Sequence, residues 1–290
     1  MSRYLNFDCV ELANDTLSVL VTQSIGPRVI SLRYRGGENL FAELPDFTTE
    51  TPAGLYHFYG GHRFWRAPED LTLTYQLDDL PVEITPIQNG LLITQPTEPG
   101  TGLQKSLCMT IQDATIHIKH TLTNHSHAPI HCAPWAITQF KPGGIAILPQ
   151  STAATGLLPN RQITLWPYTD IRSPHIVWEN RYTFVHADMA EGALKIGFPN
   201  PRGWLAYWLA GTVFVKKVVF DPQAQYLDHG SSSECFCNHK FLELETLGGV
   251  TTLSPGASVC HVENWELFGD VEEPVDETIV GNIVEKLGLE

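Results

Sequence analysis

Thr115-Ile116-His117-Ile118-Lys119-His120-Thr121-Leu122 sets the apolar residues Ile116, Ile118 and Leu122 at even spacings. Successive side chains of an extended chain point to opposite sides, so these three share one face and Lys119 and Thr121 take the other. That is the period of a half-buried antiparallel strand. The same alternation recurs outward from it, at 17–22, 28–34, 82–85, 91–95 and 102–111 before it and nearby, and at 130–138, 193–198, 205–209, 212–220, 240–246 and 257–268 beyond. Each run is bounded by Gly, Pro, Asn or Asp, the residues that suit turns. Gln88-Asn89-Gly90 and Gln112-Asp113-Ala114 are short enough to join antiparallel neighbours as hairpins. So many strands exceed one sheet, and the expected fold is all-β: a large antiparallel β-sandwich, one domain over residues 1–270.

The last residues follow a different period. After Asp270, Pro274 stands where a first helical turn tolerates it, and Val275, Ile279, Ile283, Val284 and Leu287 recur at helical spacing. The expectation for 271–290 is an amphipathic helix of about 14 residues, near the average length, packed on the sandwich. The longest stretch without a clear period is 44–72, rich in Pro, Gly and aromatics, and loops of that length commonly carry function.

Composition narrows the function. A chain of 290 residues, 43% hydrophobic, can bury a large core without staples, so its six cysteines read as free thiols, most of them buried, and not as a disulfide framework. A formal net charge of −14 with no basic stripe repels phosphate backbones and anionic lipid, which argues against nucleic acid and membrane partners. No apolar run approaches the ~20 residues of a membrane span, and Met1-Ser2-Arg3-Tyr4-Leu5-Asn6 leads into no signal-peptide core, so the expected location is cytoplasmic. Nucleophile-elbow, phosphate-loop and dinucleotide fingerprints are missing from the sequence. Cys235-Phe236-Cys237-Asn238-His239 lacks the second ligand pair of a structural zinc site, and neither a metal nor a cofactor is expected.

Three segments carry candidate chemistry. In Tyr59-Gly60-Gly61-His62-Arg63-Phe64-Trp65-Arg66-Ala67-Pro68-Glu69, two glycines permit close backbone approach beside charged donors and flat aromatics. That combination suits a polyhydroxylated ligand, whose hydroxyls need partners and whose C–H face packs on a ring; the alternative is core aromatics with surface ion pairs. In Lys240-Phe241-Leu242-Glu243-Leu244-Glu245-Thr246 the two carboxyls share one face, where seclusion from water would raise one of them toward neutral pH; the alternative is an ordinary solvated face. In 131–139, His131 and Trp135 alternate onto one side as a proton donor and a sugar platform, or as a hydrogen-bonded histidine without chemistry.

The sequence resembles the galactose mutarotase-like, or aldose 1-epimerase-like, superfamily in four places. These are Ile25-Gly26-Pro27-Arg28 through Leu32 with Asn39-Leu40-Phe41, Thr123-Asn124-His125-Ser126 through Pro129 to Thr138, Leu244-Glu245-Thr246, and Leu253-Ser254-Pro255-Gly256 followed by 262–268. The resemblance implies a sandwich with a sugar site on a concave sheet and proton transfer at the anomeric carbon. On that basis Glu245 is the base. The family's acid histidine falls where this chain has Trp135, and His131 lies about 13 Å away along the strand. His62 then becomes the expected acid, with Arg63, Trp65, His131, Trp135 and Glu243 binding a small-molecule sugar or sugar derivative. Two alternatives stand beside it: a carbohydrate-binding protein that kept the cleft and lost the acid, and a lyase or glycoside-processing enzyme using both Glu243 and Glu245.

Overall fold

The protein is described by a computed structural model covering residues 2–289. Two antiparallel sheets of twelve and ten strands face each other. The larger runs from Ser2–Tyr4 through Phe7–Ala13, Leu17–Thr22, Val29–Tyr34, Gly54–Ala67, Ile130–Phe140, Leu242–Leu247, Ser233–Asn238 and Ala193–Phe198 to Thr164–Leu165. The smaller has Thr212–Val218, Ser258–Phe268, Thr115–Asn124 and Leu103–Gln112 as consecutive neighbours near its middle. The alternation that opened the sequence reading is visible in the strand Thr115–Asn124, where Ile116, Ile118 and Leu122 are fully buried between the sheets. Phe41, Phe140, Phe214 and Trp265 meet there edge to face, with ring centroids 4.9 to 6.3 Å apart.

The aperiodic stretch at 44–72 is not a loop. Glu43–Thr51 and Gly54–Ala67 pair as a hairpin, and the second strand becomes an inner member of the large sheet. The glycines hide the pattern: Tyr59, Gly60 and Gly61 all have positive φ, so the strand bends and its alternation restarts. No side chain fits at the bend, because a Cβ on Gly60 would lie 1.9 Å from the Ala42 carbonyl oxygen and one on Gly61 would lie 2.1 Å from that of Val29. After the bend, odd positions face out from the sandwich and even positions face its interior.

The C-terminal helix is shorter than expected, Glu277–Leu287, and starts later. Asp276, not Pro274, sets the boundary, since its carboxylate accepts from the Thr278 and Ile279 amides at 2.8 and 2.9 Å. Val275 precedes the cap and is exposed, whereas Val280, Ile283 and Val284 pack with Tyr182, Trp204 and Val215 on the outer face of the smaller sheet. That leaves the outer face of the larger sheet to be covered by something else.

Candidate functional site

Five neighbouring strands of the larger sheet present their outward residues to one cleft. In register, Ile137 lies opposite both Arg63 and Glu245, Glu234 lies opposite Glu245, and Lys195 lies opposite Phe236. Phe47, Phe58, Tyr75 and Tyr168 stand around this floor and enclose about 170 Å³. The cleft is thus an aromatic box with Arg63, Glu69, Lys195, Asn238 and Glu243 as its polar lining. A few convergent polar groups in an apolar pocket are the usual composition of a small-molecule site.

Two charged pairs organise the floor. The Arg63 guanidinium lies 4.2 Å over the Trp65 ring and donates through Nη2 to Glu243 Oε1 at 3.0 Å, while Gln139 Nε2 donates to the same oxygen at 2.9 Å. Arg63 Nε and Nη1 are buried without a partner in the protein. Burial raises the Glu243 carboxyl to about 7, with Arg63 opposing and Glu245 adding to the rise. Deeper in, Glu245 Oε2 accepts from Trp135 Nε1 at 2.8 Å and from Lys195 Nζ at 2.9 Å. Lys195 Nζ also meets Glu234 Oε2 at 2.7 Å, between the faces of Trp135 and Trp166.

The candidates named from sequence divide along this sheet. Arg63, Trp65, Trp135 and Glu243 line the cleft together. Glu245 points the same way but is fully buried beneath Lys195, so the carboxyl open to a ligand is Glu243. His62 points away from the cleft. It is an even-numbered residue of the bent strand, fully buried between the sheets, and cannot share a ligand with Glu245 through the backbone of the sheet that carries both. His131 is exposed and bonded to Thr252 Oγ1 at 3.1 Å, beyond the cleft's edge. Arg66 turns to the His131 carbonyl.

His62 belongs to a second buried cluster on the inner side of the same strands. The His120 ring donates through Nδ1 to the His261 carbonyl at 2.9 Å, so its Nε2 accepts from His62 Nε2 at 2.8 Å, and the Thr138 hydroxyl completes His62 Nδ1 at 2.8 Å. Glu263 accepts from Trp265 Nε1 and Thr246 Oγ1 and pairs with Lys216 Nζ at 3.1 Å. Burial pushes His62 well below its ordinary value, and pushes His120 to about 4 and His261 to about 3, so all three are neutral at pH 7. Glu263 is held low: burial opposes its charge, but the Lys216 ammonium beside it outweighs that. His62, His120 and Glu263 place donor atoms within 4.8 Å of one another, a spacing a metal ion could use. Their arrangement is that of a closed hydrogen-bond network instead: tetrahedral zinc would hold two imidazole nitrogens about 3.3 Å apart, and the ammonium of Lys216 already supplies the cation.

Sequence reasoning missed Lys195, Glu234, Tyr75, Tyr168 and Phe241. One signal was there: Ala193-Leu194-Lys195-Ile196-Gly197-Phe198 sets one lysine in an otherwise apolar strand, and unpaired lysines are almost never fully buried.

No family model matches the chain, and no curated protein matches it. Solved structures do. A putative aldose 1-epimerase from Escherichia coli K12 superposes with a TM-score of 0.57 at 10% identity, over 91% of this chain and 99% of that one. A putative aldose 1-epimerase from Klebsiella pneumoniae gives 0.60 at 13%, over 95% and 81%. A galactose mutarotase-like protein from Lactobacillus casei gives 0.56 at 12%, over 90% and 100%. The chain therefore has the galactose mutarotase-like fold, as the sequence resemblance implied. No helix among the described residues is long and apolar enough to cross a membrane.

Proposed function

We propose that the cleft binds a monosaccharide or a close derivative and exchanges its anomers, with Glu243 as the group that takes up and returns the proton of the C1 hydroxyl. The carrying observation is Glu243 itself, a cleft-lining carboxyl raised by burial to about 7, where a group can both accept and release a proton at physiological pH. Trp65 and Trp135 offer aromatic surface to a sugar's C–H groups, and Arg63, Asn238 and Glu243 line the cleft as polar partners for its oxygens. The fold shared with proteins named as putative aldose 1-epimerases supports this reading without deciding it, since one fold hosts many functions.

Exchange spectroscopy on α and β anomers of several aldoses tests the proposal. Accelerated interconversion that rises with pH through about 7 and is lost in Glu243→Gln is the expected outcome. A second reading, a sugar-binding protein without turnover, is favoured by one feature: no histidine lines the cleft among the described residues. Saturable binding with no exchange in any aldose would select it.

A further inference from the structure

Anomer exchange needs a proton donor at the ring oxygen, and the displaced His62 leaves that position to another group. We propose that Lys195 is this acid and that Glu234 holds the proton that refills it, an inference that rests on the anomer-exchange reading. Lys195 lines the cleft from the strand Ala193–Phe198, whereas Glu243 lines it from Leu242–Leu247, two strands away, so a ring between them has a donor on one side and an acceptor on the other. The ammonium is fixed in place. It touches Glu234 Oε2 at 2.7 Å and Glu245 Oε2 at 2.9 Å, and it lies 4.9 and 4.7 Å from the ring centroids of Trp135 and Trp166, whose faces attract a cation.

Two carboxyls sharing one ammonium in a nearly sealed space would carry a net negative charge if both were ionised, and such a charge is costly away from water. One extra proton relieves it. Glu234 is the holder: its carboxyl is raised well above the ordinary range by burial first and by Glu245 in addition, against the pull of Lys195. Glu245 has its Oε2 saturated by Trp135 and Lys195, which leaves it to position the ammonium. Lys195 is itself firmly protonated, because its contacts with Glu234 and with the Glu245 carboxylate outweigh the effect of burial. It remains a far stronger acid than the alcohol that forms at the ring oxygen, so proton transfer as the ring opens runs downhill.

The steps balance without a further reactant. Glu243 takes the C1 hydroxyl proton, the C1–O1 bond becomes a carbonyl, and the bond from C1 to the ring oxygen breaks with its electron pair moving to that oxygen. Lys195 protonates the oxygen and regains a proton from Glu234. After rotation about C1–C2, ring closure on the other carbonyl face returns the ring-oxygen proton through Lys195 to Glu234, and Glu243 returns its proton to O1.

Three variants of the full chain test this, read by anomer-exchange rate, by sugar affinity from tryptophan fluorescence, and by the pH profile. Lys195→Arg keeps the charge but not a transferable proton. It should lower the exchange rate at least ~10²-fold while changing affinity only about threefold, the loss expected for one general acid. Glu234→Gln, which has no proton for Lys195 to regain, should exchange slowly at every pH and so lack the alkaline fall that the wild type shows as Glu234 loses its proton. Lys195→Arg exchanging at the wild-type rate, or Glu234→Gln keeping the alkaline fall, overturns the proposal. If Glu234→Gln does not fold, the Lys195→Arg rate decides alone. A wild type that exchanges, with Glu243→Gln inactive and Lys195→Arg active, sinks this assignment and spares the anomer-exchange reading; a wild type that never exchanges sinks both.

Discussion

A buried lysine–glutamate cluster lies against each face of the larger sheet, the inward pair supplied by strands of the smaller sheet, and the two are built differently. Inward, Lys216 and Glu263 sit with His62, His120, His261, Thr138 and Thr246, and every buried side-chain polar atom of that group has a partner. Outward, Lys195, Glu234 and Glu245 sit beside Arg63, Gln139 and Glu243, and Arg63 Nε, Arg63 Nη1, Gln139 Oε1, Glu234 Oε1 and Glu245 Oε1 have none within the protein. Both clusters bear the cost of burying charge, but only the inward one recovers it through a complete network. A closed network holds strands in register. An open one beside a cavity is equipped to meet a ligand.

The comparison is broken most directly by removing one inward partner. Lys216→Met leaves Glu263 buried beside neutral histidines and should destabilise the protein by about 3–5 kcal/mol in urea unfolding, as expected for half of a buried pair. Lys195→Met, at the open cluster by the cleft, should cost distinctly less stability. Equal losses would erase the distinction between the two faces.

Acid sharpens it next. The inward histidines bind protons more weakly folded than unfolded, since His120 falls from 6.5 to about 4 and His261 to about 3. Between pH 6.5 and those values the unfolded chain takes up more protons, so stability is full above about pH 6.5 and is lost as pH falls. Glu263, also held low, adds a loss of the same sign at lower pH. At pH 4 the loss from one such histidine is on the order of 3 kcal/mol. Urea midpoints from pH 7.5 to 4 would show it, and His261→Asn should flatten the slope; a flat wild-type profile would contradict the neutral network.

On the cleft side, Trp65→Ala should weaken sugar binding by removing a ring face, which a fluorescence titration measures. Smallest of all, Asp276→Ala should cost about 1 kcal/mol by uncapping the C-terminal helix, read by thermal melting. It should leave both clusters untouched, because that helix packs on the other sheet.

Much of the architecture was legible because burial on one face forces period-two alternation, and Ile116, Ile118 and Leu122 display it without interruption. The Gly54–Ala67 strand was hidden because Tyr59-Gly60-Gly61 bends it and resets which residues face out. That same reset misled the site. His62 and Arg63 are adjacent in sequence and invite a shared role, yet adjacency in a strand means opposite faces. Glu243 and Glu245 were placed on one face by their spacing, but which of them the cleft exposes depends on Lys195, delivered from a strand some 50 residues earlier in the chain. Such long-range pairings leave no local trace beyond a lysine in an apolar run. The helix boundary was misread for a simpler reason, a capping carboxylate two residues after a proline.

The measurement that bears most directly on the division between the two faces is anomer exchange by wild type and Glu243→Gln, alongside their urea midpoints. The account predicts accelerated exchange in the wild type, a loss of at least ~10²-fold in the variant and little change in its folding midpoint. Exchange that persists in Glu243→Gln would contradict it.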